Sequence, residues 1–199
     1  PVSNLSKAMP VVILISGGGS NLQSIIDAMQ AGELPIDIRA VISNKADAYG
    51  LERAKNAGIN TEVINHHDYT GREDFDHALK EGIDAHQPAL VILAGFMRIL
   101  NHDFVEHYLG RMLNIHPSLL PRYKGTNTHA RAIEAGDSEA GCSIHLVTAE
   151  LDSGQVLLQA RVPILKGDTA ETLAARVLEQ EHVIYPEAVR QFANRVLEN

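Results

Sequence analysis

The sequence predicts an α/β fold: one doubly wound, mostly parallel sheet of Rossmann-like type with an antiparallel addition near the C-terminus. Three observations predict it. Short, strongly apolar runs such as Val11-Val12-Ile13-Leu14-Ile15 alternate with segments of helical period, which is how buried parallel strands and their covering helices read. Several of these runs pass directly into loops rich in Gly, Asn or Pro. Late in the chain, two strand-like segments, 142–147 and 155–164, are separated by a turn at Glu150-Leu151-Asp152-Ser153-Gly154, so they pair antiparallel. The 199 residues, 45% of them apolar, suit one domain spanning 1–199, with residues 1–10 as a loose lead-in.

The elements follow in order. Residues 11–15 form a central strand, and Ser16-Gly17-Gly18-Gly19-Ser20-Asn21 leaves it. Leu22, Ile25, Ile26 and Met29 then mark one face of a helix that Ser20 or Asn21 could cap. Strand, glycine loop and helix together present backbone N–H groups to a phosphate. The loop lacks the third glycine of a dinucleotide fingerprint, since Leu22 stands there, and no acid follows the second strand, 36–42. It also lacks Gly-Lys-Ser/Thr, so the pattern suits a phosphate monoester.

A helix over 49–57 is closed by Gly58, a strand follows at 61–64, and a helix over 71–86 carries Phe75, Leu79 and Ile83 inward. Arg72 in its first turn opposes the helix dipole, which favours an anionic partner. The fourth strand, 90–94, runs into Gly95-Phe96-Met97-Arg98-Ile99-Leu100, an apolar lip suited to a flat aromatic ligand. A short helix covers 101–108, and a fifth strand begins at Arg111.

That strand carries Asn114-Ile115-His116-Pro117-Ser118-Leu119-Leu120-Pro121. Residues two apart on a strand share a face, so an amide donor projects beside an imidazole. The amide can hold a developing oxyanion and the imidazole can move a proton, as acyl transfer requires. A helix over 128–135 ends at Gly136, and the strand at 142–147 places Ser143 and His145 on one face. A last long helix covers 169–185, with Pro186 opening a final short one. Glu181 falls four residues after Val177 on its inner face, where an unpaired carboxylate is costly and a hydroxyl-bearing or cationic ligand is a natural partner.

These motifs resemble the folate-dependent formyltransferases. The resemblance rests on residues 15–22, 43–53, 94–100, 114–121, 142–145, 151–154 and 181–186, so it extends over nearly the whole chain. Within that family the chain is most similar to the branch acting on glycinamide ribonucleotide. The resemblance implies formyl transfer from 10-formyltetrahydrofolate, as co-substrate, to the amine of glycinamide ribonucleotide in purine biosynthesis, without a metal. It makes Asn114, His116 and Asp152 the catalytic trio and Ser143 and His145 its supports. It gives Gly19, Ser20, Asn21, Arg72 and Glu181 to the ribonucleotide, and Met97, Arg98, Ile99, Leu100 and Asn114 to the folate. Departures from relatives fall at Gly18, Asn127 and Leu178.

The charge balance bounds the partners. With 17 Lys and Arg against 25 Asp and Glu, the net charge is −8, a poor match to a nucleic-acid backbone and to a tRNA-dependent relative. One cysteine, Cys142, allows neither an internal disulfide nor a cysteine-based zinc site. With no signal-like N-terminal run, the expectation is a cytoplasmic enzyme of small molecules, with no nucleic-acid or membrane partner.

Overall fold

The computed structural model describes residues 7–199. Its strands are β1 (Met9–Ile15), β2 (Ile36–Ser43), β3 (Thr61–Val63), β4 (Leu90–Leu93), β5 (Met112–His116), β6 (Glu139–Leu146) and β7 (Val156–Pro163). Its helices are α1 (Ser20–Gln30), α2 (Gly50–Asn56), α3 (Arg72–Asp84), α4 (His102–His107), α5 (Thr128–Glu134) and α6 (Ala170–Glu198). The strands form one sheet in the order β3-β2-β1-β4-β5-β6-β7. The pairs from β3 through β5 are parallel. β6 and β7 add antiparallel, as the short turn between them demands. The fold class is the expected one.

Chain order reverses at β1, which lies between β2 and β4. In open sheets ligands bind where the order reverses, beyond the carboxyl ends of the strands. The glycine loop and the lip at 95–97 leave β1 and β4 at that edge, and Asn114 and His116 close β5 beside them.

Alternation along β1 divides the core. Met9, Val11, Ile13 and Ile15 pack with Leu22, Ile25 and Ile26 of α1 and with Leu173, Val177, Tyr185 and Val189 of α6. Val12 and Leu14 pack with Phe75, Leu79 and Ile83 of α3 and with Phe104 and Val105 of α4. Both faces of the strand are covered, which is why it reads as a continuous apolar run. No helix among the described residues is long and apolar enough to cross a membrane.

Four sequence expectations need correction. β1 begins at Met9, because Met9 and Pro10 pair with Ile36 and Asp37. Of the lead-in, residues 1–6 lie outside the described residues and Lys7 and Ala8 alone precede the strand. β6 begins at Glu139, not at 142, because Glu139, Ala140 and Gly141 pair with Pro163, Val162 and Arg161. Neither Ser20 nor Asn21 caps α1. Gly19 is the N-cap, in a left-handed conformation at φ 75°.

The fourth correction is Pro186, which stands inside a continuous α6. An interior proline loses one backbone hydrogen bond and costs about 3 kcal/mol. Tyr185, Ala188, Val189, Phe192 and Ala193 are all buried around it. Each large apolar side chain returns roughly 1.5–3 kcal/mol on burial, so packing outweighs the break.

Tyr185 does more than fill space. Its hydroxyl is wholly buried and shares its one proton between the carbonyls of Leu93, the last residue of β4, at 2.7 Å and Leu113, near the start of β5, at 3.1 Å. Tyr185→Phe keeps the ring and removes the donor. It is expected to lower stability by about 0.5–1.5 kcal/mol in urea unfolding, the usual net worth of one such bond.

Candidate active site

A cleft of about 790 Å³ opens at this edge of the sheet. One wall is the lip Gly95, Phe96 and Met97; the floor is residues 114–117; the far wall is the 125–130 segment. α6 closes the remaining side with Ala174, Leu178 and Glu181, and Asn21 reaches in from α1.

The period-two pairing of Asn114 and His116 holds, since both line the cleft from β5. Across the antiparallel ladder they face His145 and Ser143. His116 is 5% exposed. Its Nε2 donates to the Tyr123 carbonyl at 2.8 Å, and its Nδ1 lies 3.6 Å from Asp152 Oδ2. A carbonyl oxygen only accepts, so Nε2 carries a proton. The sequence separates His116 and Asp152 widely, and the β6–β7 turn brings them together.

Asp152 occupies that turn in a left-handed conformation, φ 51°, which aspartate tolerates better than most residues. Its Oδ2 accepts the Gly125 N–H at 2.8 Å and its Oδ1 lies 3.9 Å from His145 Nε2. His145 is buried and donates from Nδ1 to the Leu146 carbonyl at 3.0 Å. Its Nε2 has no hydrogen-bond partner among the described residues. Burial pushes its ring below the ordinary imidazole pKa, and the nearby Asp152 opposes that. The turn also anchors the facing loop through Lys124 Nζ, which donates to Ser153 Oγ at 2.7 Å.

Ser143 supports the floor. Its hydroxyl donates to the Ser118 carbonyl at 2.7 Å and accepts the Leu120 N–H at 3.1 Å and the Gln159 amide at 3.0 Å. Gln159, its register partner on β7, also donates to the Leu120 carbonyl at 2.9 Å. The loop that carries the central motif is thus held from beneath by two strands.

At the glycine loop, Gly19 cannot be replaced freely. A Cβ there would lie 2.7 Å from Gly50 Cα, on a backbone already at φ 75°. At Gly17 and Gly18 a Cβ would meet no described atom within 4 Å, so the space before the loop is open. Gly50 N–H and Arg53 Nε hold the carbonyls of Gly17 at 3.0 Å and Gly18 at 2.7 Å.

Glu181 is 9% exposed and accepts from Asn21 Nδ2 at 3.0 Å. Asn21 Oδ1 is buried with no partner among the described residues. Burial raises the Glu181 carboxyl above the ordinary range, against the opposing pull of the Asn21 amide and of His116.

Other expected residues are placed differently from one another. Met97 lines the cleft with 76% of its surface exposed, and Ile99 is 70% exposed. Leu100 packs on the α3–α4 side of the sheet. Arg98 turns its guanidinium over the Phe75 ring, Cζ at 5.5 Å from the centroid. Arg72 is exposed on α3, outside the residues that line the cleft, and acts on the buried Asp76 carboxyl. Leu178 and Asn127 both line the cleft.

Sequence reasoning missed Arg53, Gln159 and His129. His129 lines the cleft with an Nδ1 that is buried and unpartnered among the described residues. Burial and the neighbouring His116 push its ring below the ordinary imidazole pKa. Nothing in its local pattern separates it from a helix residue that faces water. Among the described residues, no group of three or more His, Cys, Asp or Glu is placed to hold a metal ion.

A doubly wound sheet with this amide, imidazole and carboxylate at its carboxyl edge is the arrangement the sequence motifs imply. The formyl transferase family model matches residues 9–189, and the chain belongs to that family. Phosphoribosylglycinamide formyltransferase of Escherichia coli (strain K12) is 54% identical over 186 residues, 94% of this chain and 88% of the relative. The structure of phosphoribosylglycinamide formyltransferase from Coxiella burnetii superposes with a TM-score of 0.90 at 56% identity, covering 94% of this chain and 88% of that one. The human trifunctional purine biosynthetic protein adenosine-3 is 47% identical over 188 residues, 94% of this chain but 19% of its own length.

Glu181 generates a pH prediction. A carboxyl whose pKa is raised by folding binds more protons folded than unfolded. Its stabilising contribution is present below the ordinary carboxylate pKa and is lost as pH rises through the raised value. Glu181→Gln removes that loss. It is expected to match the parent at about pH 4, to exceed its stability as pH rises above the ordinary carboxylate range, and to hold a constant lead once the parent carboxyl is ionised, in thermal unfolding across pH.

Proposed function

We propose that this protein transfers the formyl group of 10-formyltetrahydrofolate to the amine of glycinamide ribonucleotide, a step of purine biosynthesis. The observation that carries the reading is the joint placement of Asn114 and His116 on the cleft floor, with Asp152 3.6 Å behind the imidazole. Family membership and the names of the relatives support it.

The ribonucleotide phosphate lies against the open glycine loop and the start of α1, where backbone N–H groups and the helix dipole favour an anion. Glu181 and the unpartnered Asn21 Oδ1 accept from its ribose hydroxyls. The folate ring lies along the lip at 95–97. The amine lone pair attacks the formyl carbon, and the carbonyl electron pair moves to oxygen. The Asn114 amide donates to that oxyanion. His116 gives up the Tyr123 carbonyl and turns an N–H to the same oxygen, while Asp152 stabilises the charged ring. A proton passes from the attacking nitrogen to the departing folate nitrogen. The C–N bond to folate then breaks and the new formamide carbonyl reforms. No metal enters these steps.

Mixing the protein with both substrates and following deformylated folate tests the reading; absence of turnover overturns it. Asn114→Ala is expected to lower kcat by roughly 10²–10³ with little change in either KM, the usual loss for one oxyanion donor. His116 and Asp152 act as one unit, so Asp152→Asn in a His116→Ala background should cost much less than Asp152→Asn alone. Fully additive losses would leave Asp152 as a turn residue.

A further inference from the structure

Apart from the trio, one buried hydroxyl ties the two arms of the cleft together. Ser16 directly follows β1 at the root of the glycine loop and is buried. Its hydroxyl donates to Asn44 Oδ1 at 2.6 Å and accepts the Met97 N–H at 2.8 Å. Its own N–H donates to the Gly95 carbonyl at 3.2 Å. Asn44, buried just past β2, donates from its amide to His66 Nδ1 at 3.3 Å. The ends of β1, β2 and β4 therefore meet at one oxygen.

The directions are forced. A backbone N–H can only donate, so Ser16 Oγ accepts from Met97, and its single proton goes to Asn44. The Met97 side chain stands mostly in solvent, so apolar burial contributes little to holding the lip there. Gly95, at φ 76°, turns the chain out of β4 immediately before it. Gly95 is held through its carbonyl and Phe96 through packing on the core, and the Met97 N–H is held by Ser16 Oγ.

We propose that Ser16 is a positioning residue for formyl transfer. Its hydroxyl sets the formyl-donor wall, residues 95–97, against the glycine loop that holds the acceptor, and Asn44 orients that hydroxyl. The inference rests on the formyl-transfer reading. The acceptor arm has separate supports, the bonds from Gly50 and Arg53 to the loop carbonyls. Loss of the hydroxyl therefore loosens one wall at Met97, where the Ser16 N–H to Gly95 bond and the packing of Phe96 remain, and leaves the other wall in place. Transfer between two bound reactants depends steeply on such spacing.

The test measures Ser16→Ala and Asn44→Ala in two ways, well below their unfolding temperatures. Amide hydrogen exchange at Met97 reads the clamp without substrates. Steady-state kinetics with each substrate varied in turn reads its consequence. In Ser16→Ala, Met97 exchange should accelerate, the formyl-donor KM should rise severalfold, and kcat should fall roughly 10- to 100-fold. The ribonucleotide KM should stay unchanged. Asn44→Ala, which keeps the Met97 bond but leaves the hydroxyl proton unplaced, should shift the same parameters less. Faster exchange with unchanged donor KM and kcat overturns the proposal, as does an equal rise in both KM values. If Ser16→Ala does not fold, unchanged donor kinetics in Asn44→Ala overturn it. A parent protein without turnover would instead overturn the transfer reading, and Met97 exchange would still show whether the clamp exists.

Discussion

The cleft depends on the point where β4 ends while β5 beside it runs on, and on one hydroxyl that spans the two strands. The last paired rung between these strands is Ile92 with Leu113. Beyond it one strand runs to the lip and the other to Asn114 and His116. The Tyr185 hydroxyl donates to carbonyls of both strands from the apolar side of the core. A buried hydroxyl must find a partner or bear a cost of about 1–3 kcal/mol, so the helix carrying it can dock in one position only. That helix, α6, also delivers Glu181 and Leu178 to the cleft. One packing arrangement thus sets the floor and a wall together.

On the other side of the floor, polar groups support one another. His116, Asp152, His145 and Ser143 are all taken out of water, and the last three come from β6 and the turn after it. Groups of this kind are stable inside a protein when their donors and acceptors are matched. Ser143 and Gln159 meet that requirement for the loop below His116, and Gly125 meets it for Asp152. Among the described residues, two of the buried atoms without a partner, Asn21 Oδ1 and His129 Nδ1, belong to residues that line the cleft, and a third, His145 Nε2, lies 3.9 Å from Asp152.

The corrections to the sequence reading share a cause. Ser20, Asn21 and Pro186 carry strong local preferences, for a cap and for a helix start. Gly19 takes the cap because its backbone must pass against Gly50. Asn21 turns instead to Glu181, and the buried face around Pro186 carries α6 through the proline. In each case contacts between distant segments outweigh a preference of about a kilocalorie or, at Pro186, of about three.

What the sequence determined by itself was whatever depends on short-range period and steric limits. Alternation and helical spacing located the strands and helices, and their order implied a doubly wound sheet with the glycine loop, the lip and the central motif on one edge. Period two joined Asn114 to His116, and the four-residue step from Val177 placed Glu181 inward. Only the tertiary structure decided which side chains meet across the fold. The register of β5 with β6 sets Ser143 and His145 against His116 and Asn114, and the β6–β7 turn carries Asp152 to within 3.6 Å of the imidazole. Contacts between distant segments turned Met97 to the cleft and Arg98 over Phe75, although the two are neighbours on one loop. The physical reason is range. Backbone sterics and burial patterns act over a few residues and are legible locally, whereas register and side-chain meetings arise from all the packing at once and leave no local trace.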